Sequence, residues 1–214
     1  MSKIKVLNLY AGIGGNRKLW KNVEVTAIEN VPEIAKIYQD FFPKDKVIIA
    51  DAHQYLLDHY KEFDFIWSSP PCPTHSVTNN FLNAQGIVRY PDMELYQEII
   101  FLRHFCKKKF VVENVRSYYD PLIIPQISGR HYFWTNFKIT NLKVKTPFNI
   151  SNMRASTRQT PEENLKSLEK FHGIDLSKYK VKDKRKLLRN CVKPEVGLHI
   201  FNCAFKDKQQ TLMS

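Results

Sequence analysis

The stretch KIKVLNLYAGIGG, residues 3–15, decides the fold, because a short apolar run here ends in a glycine-rich turn. A continuous apolar run of this length is typical of a strand that is buried on both faces of a sheet. Gly12, Gly14 and Gly15 permit a tight turn in which the backbone comes close to a ligand. The glycine pattern alone is a weak signal, since many strand-to-helix turns carry glycines only for packing.

The same alternation of strand and helix continues through residue 135. Further strands are predicted in VEVTAIEN, KVIIAD, FDFIWSS, KFVVENV and RHYFWTNFKI. Helices are predicted near Asn16–Lys21, in PEIAKIYQDFF with Pro32 in the first turn, in AHQYLLDHYKE, and in MELYQEIIFLRHFCKK with Asp92 as the cap. This order predicts an α/β, Rossmann-like fold, with a parallel sheet covered by helices on both faces. Ligands bind such sheets beyond the carboxyl ends of the strands.

Carboxylates follow the second and third predicted strands, at Glu29 and Asp51. An acid that ends the second strand can bind the hydroxyls of a ribose. Together with the glycine turn, these acids predict a cofactor that contains adenosine but no long phosphate chain. The chain has no GxxxxGK[ST] motif, which argues against ATP hydrolysis.

The fourth predicted strand ends in SSPPCPTHS, which places Cys72 between prolines. Prolines fix φ and restrict the residue before them, so the thiol is held in one direction. Cysteines are usually buried and inert, and this interpretation suits Cys106, Cys191 and Cys203 but does not explain the prolines around Cys72. Glu113 ends the adjacent strand, where burial would raise its proton affinity. A nucleophile beside such an acid is typical of covalent catalysis.

The composition predicts the setting of the protein. A chain of 214 residues can form one domain with a real core and a small appended lobe. We expect no membrane segment and no signal peptide, because the sequence has no apolar run of 18 residues and the N-terminus soon becomes polar. The four cysteines show no CxxC spacing, which argues against a metal site and favours a reducing cytoplasm, prokaryotic or viral in a host cell.

The net charge of +12 is unevenly distributed. Residues 1–135 hold 16 Lys and Arg against 14 Asp and Glu, whereas residues 136–190 hold 14 against 5. Such an excess predicts a polyanionic partner, and the alternative is a solvated basic face without a partner.

Taken together, these motifs resemble the DNA cytosine-5 methyltransferase family. NLYAGIGG is similar to the motif that cradles S-adenosyl-L-methionine, and IEN and ADA are similar to the acids that bind its ribose and adenine. PPCPTHS is similar to the nucleophile motif, ENV to the glutamate motif and GRHYFW to the arginine motif. LLRNCVKPEVGLHI is similar to the last motif, with a helix that returns to the first strand. The resemblance covers nearly all of residues 4–205, except roughly 138–185.

The resemblance and the charge distribution imply three groups of site residues. The catalytic residues would be Cys72, Glu113 and Arg130. S-adenosyl-L-methionine would be bound by Tyr10, Ala11, Gly12, Ile13, Gly14, Gly15, Glu29, Asn30, Asp51, Ala52, Pro71, Asn190 and Cys191. Double-stranded DNA would be bound by Ser76, Arg89, Arg154, Arg158, Lys182, Lys184 and Lys186.

The implied chemistry begins with the addition of the Cys72 thiolate to C6 of cytosine, while Glu113 holds or protonates N3. The methyl group then moves to C5, and loss of the C5 proton and of Cys72 restores the ring. The base must be flipped out of the duplex to react. Residues 73–91 form a polar stretch without a predicted element, and a mobile loop that closes over the base is the expected role.

The chain departs from the family pattern in three places. Pro73 follows the nucleophile where the family often has a polar residue, and His131 takes the place of the second arginine of the arginine motif. The region before the last motif is short, so we predict a catalytic core at 1–137, a small basic target-recognition region at 138–185 and a returning C-terminal motif at 186–214. A helix is predicted in TPEENLKSLEKFHGIDLSKY, with Thr160 as the cap. A small region favours a short target site, or a protein partner that supplies recognition.

Other functions stay open at this point. RNA cytosine methylation uses the same chemistry, although a Cys-Phe-Thr tripeptide associated with a transfer-RNA branch is absent. A non-catalytic nucleic-acid-binding relative would typically have lost the cysteine or the glutamate, and both are present. Methylation of a free nucleotide would not require so basic a segment.

Overall fold

A computed structural model describes residues 2–140, 142 and 160–206. In these residues seven strands form one sheet: β1 (Ile4–Leu9), β2 (Val23–Ile28), β3 (Lys46–Ile48), β4 (Phe65–Ser68), β5 (Lys109–Val115), β6 (Gln126–Ser128) and β7 (His131–Thr135). The strand order is β3-β2-β1-β4-β5-β7-β6. Strands β1 to β5 are parallel, as predicted, and the hairpin of β6 and β7 adds two antiparallel strands at the edge.

The described residues also contain the helices α1 (Pro32–Phe41), α2 (Ala52–His59), α3 (Asn79–Ala84), α4 (Glu94–Phe105), α5 (Pro161–His172), α6 (Lys184–Asn190) and α7 (Pro194–Phe205). A short 3-10 turn, Tyr60–Glu62, follows α2. Pro32 and Pro161 stand in first turns, as predicted. The Thr160 hydroxyl accepts a hydrogen bond from the Glu163 N–H at 3.2 Å, which confirms the predicted cap of α5.

Three local predictions were wrong. The segment near Asn16–Lys21 is a turn and not a helix. Its side chains bind elsewhere in the fold, since Asn16 donates to Asn8 Oδ1 at 2.8 Å and Arg17 forms an ion pair with Asp45. The stretch 73–91, predicted to lack an element, contains α3.

The third correction concerns the start of α4. The residue that caps this helix is Met93, and its side chain makes no capping hydrogen bond. Asp92, the predicted cap, lies one position earlier and accepts a hydrogen bond from the Glu94 N–H at 3.1 Å. Asp92 therefore binds a backbone N–H group in the first turn of α4 from a position outside the helix.

Both faces of the sheet are covered, because neighbouring residues of each central strand enter different cores. Leu7 and Ile66 belong to one cluster, which includes side chains of α2 and α4. Val6 and Trp67 belong to the other, which includes Phe201 of α7. This arrangement confirms the predicted α/β fold with a covered sheet.

A third cluster connects α5 and α6 to the turn after β1 and to α1. Leu168 and Leu188 from these helices pack with Ile13 after β1 and Ile37 of α1. The predicted boundary between residues 185 and 186 falls within α6, which packs in this cluster, and the division into domains stays a prediction. None of the helices in the described residues is long and apolar enough to cross a membrane.

Candidate active site

The carboxyl ends of four neighbouring strands bring the predicted site residues together. In the sheet register Leu9 is paired with Ile28 and with Ser68, and Ser68 is paired with Val112. The residues just beyond these positions therefore end at one edge: Tyr10, Glu29, Ser69 and Glu113. Two of them, Glu29 and Glu113, are the acids predicted to serve the cofactor and the reaction.

Two backbone N–H groups hold the Glu29 carboxylate, one from the glycine turn after β1 and one from the residues after β2. Gly12 has φ of +55°, and a Cβ on it would meet no atom within 4 Å, so this position borders open space. Its N–H donates to Glu29 Oε2 at 2.9 Å, and the Val31 N–H donates to Oε1 at 3.0 Å. Each carboxylate oxygen keeps a second lone pair, which can accept a ribose hydroxyl. The open space and the oriented acid fit an adenosine-containing cofactor.

Gly14 and Gly15 are required for packing. A Cβ at Gly14 would lie 2.2 Å from the Phe42 ring, and one at Gly15 would lie 2.6 Å from the Val192 carbonyl oxygen. Cys191 is buried against Gly15, behind the turn. Among the other predicted cofactor residues, three have buried side chains: Ala11, Ile13 and Ala52. Four are exposed: Asn30, Asp51, Pro71 and Asn190. Asp51 caps α2 by accepting a hydrogen bond from the Gln54 N–H at 2.8 Å.

Cys72 is a half-buried free thiol on a tight turn. The N–H groups of His75 and Ser76 both donate to its carbonyl oxygen, at 3.0 and 3.1 Å. Burial raises the pKa of the thiol, and the Glu113 carboxylate raises it further, while the Lys186 ammonium opposes both. The structure places Lys186 of α6 within electrostatic reach of the thiol.

The Glu113 carboxylate is held from both sides. Ser69 Oγ donates to its Oε2 at 2.9 Å, and Ser69 in turn accepts from the indole N–H of Trp67 at 2.8 Å. Nδ1 of His131 contacts Oε1. Arg130, the predicted catalytic arginine, is exposed and within electrostatic range of Glu113. The sequence reasoning missed Ser69, although its position directly after β4 could have revealed it.

The first residues after the nucleophile are anchored to the loop that follows β5. His75 is 1% exposed, its Nδ1 lies 2.6 Å from the Tyr119 hydroxyl, and its carbonyl oxygen accepts from the Tyr118 N–H at 3.0 Å. Asn79 donates to the Pro73 carbonyl oxygen at 2.8 Å. Beyond this anchor the large apolar side chains are exposed: Val77, Phe81, Ile87, Val88 and Tyr90. Farther along the loop, the Tyr118 hydroxyl donates to the Arg89 carbonyl oxygen at 2.9 Å.

The predicted nucleic-acid contacts are distributed over several elements. Ser76 accepts hydrogen bonds from the N–H and hydroxyl of Thr78, and Arg89 is exposed. Lys182 and Lys186 are exposed, whereas Lys184 is half-buried and donates to the Ser177 carbonyl oxygen at 3.2 Å. Arg154 and Arg158 lie outside the described residues. No group of three or more His, Cys, Asp or Glu side chains that could hold a metal ion is found in the described part of the chain.

Comparison with known proteins identifies a family. Residues 4–121, more than half of the chain, match the family model described as C-5 cytosine-specific DNA methylase. No curated protein sequence matches the chain. Among solved structures, the Entamoeba histolytica methyltransferase EhMeth is similar, with a TM-score of 0.57 and 13% identity over 98% of this chain and 100% of that one.

Two further structures match over shorter parts. Spodoptera frugiperda DNMT2 matches with a TM-score of 0.41 and 23% identity, over 56% of this chain and 38% of that one. A SAM-dependent methyltransferase from Agrobacterium tumefaciens matches with a TM-score of 0.34 and 16% identity, over 53% and 39%. Of these three structures, EhMeth is the one with a TM-score above 0.5, and at 13% identity its likeness concerns the fold alone.

Proposed function

The chain belongs to the C-5 cytosine-specific DNA methylase family, and from this premise we propose that it methylates C5 of cytosine in double-stranded DNA through a covalent bond from Cys72. One observation carries the proposal: Cys72 follows β4, and Glu113 lies in β5 one position after the last residue paired with β4, close enough for the carboxylate to raise the pKa of the thiol. The covalent step, the DNA substrate and the assignment of each residue are parts of this proposal.

Cysteine addition solves the chemical problem that C5 of cytosine is a weak nucleophile. The Cys72 thiolate forms a bond to C6, and the electron pair of the C5–C6 double bond becomes available at C5. Glu113 holds a proton at N3, so that negative charge does not accumulate on the ring. S-adenosyl-L-methionine supplies the methyl group that C5 takes up. The C5 proton then leaves, the bond from Cys72 to C6 breaks, and the double bond is restored.

The two residues are electrostatically coupled in a way that suits this order of events. The charged Glu113 carboxylate raises the pKa of Cys72 and so favours the unreactive thiol. A cytosine that shares a proton between N3 and Glu113 reduces this negative charge, so arrival of the base favours the thiolate. The Lys186 ammonium lowers the pKa of Cys72 and so also favours the thiolate. Ser69 and His131 keep the Glu113 carboxylate in place for this contact.

The residues that would hold S-adenosyl-L-methionine surround the open space at Gly12. Glu29 would bind the ribose hydroxyls, because its oxygens are already oriented by the N–H groups of Gly12 and Val31. Asp51 and Asn30 would border the adenosine, and the backbone of residues 10–15 would line the methionine end. Asn190 would complete the site from the C-terminal end of α6.

Nucleic acid would approach the face that carries Cys72 and α6. Ser76, Arg89, Lys182, Lys184 and Lys186 would contact its phosphates, and residues 138–185, with Arg154 and Arg158, would read the target. The positive excess of residues 136–190 supports a polyanionic substrate. A region of this size favours a short target site or help from a protein partner. RNA, for which the same chemistry would serve, is an outcome of the test below.

The test uses labelled S-adenosyl-L-methionine with duplex DNA and with transfer RNA, followed by base-resolution sequencing for 5-methylcytosine. Label in DNA at a defined short site is expected, and Cys72→Ala should abolish it. DNA containing 5-fluorocytosine should trap the parent as a stable adduct, because fluorine at C5 blocks the final elimination. Transfer by the Cys72→Ala protein would refute the covalent mechanism, and label in RNA alone would refute the DNA substrate. Cys106→Ala, which alters a cysteine outside the site, is the matched control.

A further inference from the structure

A fully buried carboxylate lies behind the cofactor side of the site, and the methyl-transfer chemistry does not use it. Glu98 of α4 is 0% exposed. A charged side chain is costly to bury unless polar partners satisfy it. The neighbouring exposed Glu94 on the same helix shows that the chain can place an acid on the solvent side. Helix formation alone therefore does not explain why the acid at position 98 is buried.

The partners of Glu98 come from three different segments that border the cofactor side. Its Oε1 accepts a hydrogen bond from the Tyr10 hydroxyl at 2.6 Å and lies 3.2 Å from His53 Nδ1. Its Oε2 accepts from the Ser68 hydroxyl at 2.6 Å. Tyr10 begins the glycine turn after β1, His53 lies in the first turn of α2, and Ser68 ends β4. One carboxylate thus connects the ends of two strands with the start of a helix.

Tyr10 has a backbone conformation that needs such support. Its φ is +53°, in the left-handed region that favours glycine. Non-glycine residues persist there only when the surrounding structure holds them in place. The hydroxyl of Tyr10 is held by Glu98, and the next residue, Ala11, donates its N–H to the Ile28 carbonyl oxygen at 2.9 Å. Hydrogen bonds therefore fix both the side chain of Tyr10 and the backbone that follows it.

The charge on His53 depends on the same carboxylate. The hydrogen bond to Glu98 raises the pKa of His53, burial opposes the rise, and the charges of Glu98, Glu94 and Asp51 add to it. Burial first, and then Glu98, raise the pKa of Tyr10, so its hydroxyl keeps its proton and remains a donor. The His53–Glu98 ion pair is present at low pH and is lost as pH rises through the pKa of His53.

We propose that Glu98 is a positioning residue for the cofactor: through Tyr10 and His53 it holds the glycine turn and the Asp51 segment at the spacing that S-adenosyl-L-methionine needs. The proposal rests on the proposed function, since it takes the same cofactor. Glu98 acts through its partners and touches neither the methyl group nor the base. Because Glu98 also binds His53, the affinity for the cofactor depends on whether His53 is protonated.

The test measures binding of S-adenosylhomocysteine by calorimetry, without nucleic acid, from about pH 6 to about pH 8.5. The affinity of the parent should fall as pH rises, because the His53 charge is lost in this range. Glu98→Gln should bind about tenfold more weakly at the low end, the equivalent of a charge-assisted hydrogen bond. Glu98→Gln and His53→Gln should both lose the pH dependence. Glu94→Gln removes an acid from the same helix that raises the pKa of His53 without bonding to it, so it should retain the pH dependence, with the midpoint moved to slightly lower pH.

Two single variants, Tyr10→Phe and His53→Gln, keep the proposal falsifiable if Glu98→Gln does not fold. Tyr10→Phe removes one hydrogen bond to Glu98 and should weaken binding, whereas His53→Gln should flatten the pH profile. Parent-like affinity and pH profile in both variants would overturn the proposal. A parent that binds no S-adenosylhomocysteine would overturn the proposed cofactor itself, which is a separate outcome from a parent that binds while its variants are unchanged.

Discussion

Nδ1 of His131 contacts Oε1 of Glu113, across the antiparallel pairing of β5 and β7. If the aromatics of GRHYFW are aligned with those of the family's arginine motif, the resemblance places His131 at the position of the second arginine. An imidazole can give the carboxylate one N–H at a time from one edge, whereas a guanidinium offers a fork of donors. The Ser69 hydroxyl on the other carboxylate oxygen supplies a second donor. Two small donors thus orient Glu113 in this chain.

The reactivity of Cys72 should rise steeply with pH. Burial and Glu113 raise the pKa of the thiol, so the thiolate is scarce at neutral pH and accumulates only above the ordinary cysteine value of about 8.5. Alkylation by iodoacetamide, followed by mass spectrometry from about pH 7 to about pH 10, should show this rise. Glu113→Gln should move the profile to lower pH, and Lys186→Gln should move it higher. Identical profiles in all three proteins would refute the coupling.

Glu29→Ala should weaken S-adenosylhomocysteine binding by at least about tenfold, since charge-assisted hydrogen bonds are worth about 1.5–3 kcal/mol. The melting temperature should also fall, because the N–H groups of Gly12 and Val31 lose their acceptor. Calorimetry and thermal unfolding measure the two effects. Glu33→Gln, in the exposed first turn of α1, is the control and should change neither. Unchanged affinity in Glu29→Ala would show that this carboxylate only binds the backbone of the turn and does not contact the cofactor.

Tyr119→Phe should loosen the nucleophile turn while leaving the cofactor site intact. The substitution removes the hydroxyl that lies 2.6 Å from His75 Nδ1, and an unsatisfied buried group costs about 1–3 kcal/mol. We expect a lower methylation rate with unchanged S-adenosylhomocysteine affinity. Tyr118→Phe removes a hydroxyl that binds the exposed Arg89 segment and should have a smaller effect. An unchanged rate in Tyr119→Phe would mean that the anchor does not position Cys72.

Replacing Lys182, Lys184 and Lys186 together with glutamine should weaken DNA binding and flatten its salt dependence. Each lost phosphate contact should change the slope of log affinity against log salt by about 0.9. Fluorescence anisotropy at several salt concentrations measures this slope. Lys44, Lys61 and Lys107, which are exposed and lie outside α6, supply a matched triple for glutamine replacement. A slope equal to that of the parent would show that the α6 lysines form only a solvated face.

Much of the site could be predicted from local sequence. The ends of the parallel strands are marked by short apolar runs, and a parallel sheet gathers such ends at one edge, so Glu29, Cys72 and Glu113 could be assigned together. Pro32 and Thr160 were assigned to helix starts because a first turn depends only on neighbouring residues. These signals are contained in a few consecutive positions. The structure confirms the two helix starts, and the roles of Glu29, Cys72 and Glu113 stay predictions.

The tertiary structure alone decided the contacts that join distant segments. Nothing near Glu98 in sequence indicates that Tyr10, 88 residues away, would donate to it, or that Lys186 would lie near Cys72. The turn at residues 15–19 likewise follows from bonds to Asn8 and Asp45 and not from helix propensity. Such contacts depend on how strands are ordered and helices are packed across the whole sheet, because a side chain can bond only to what the folded chain brings within reach.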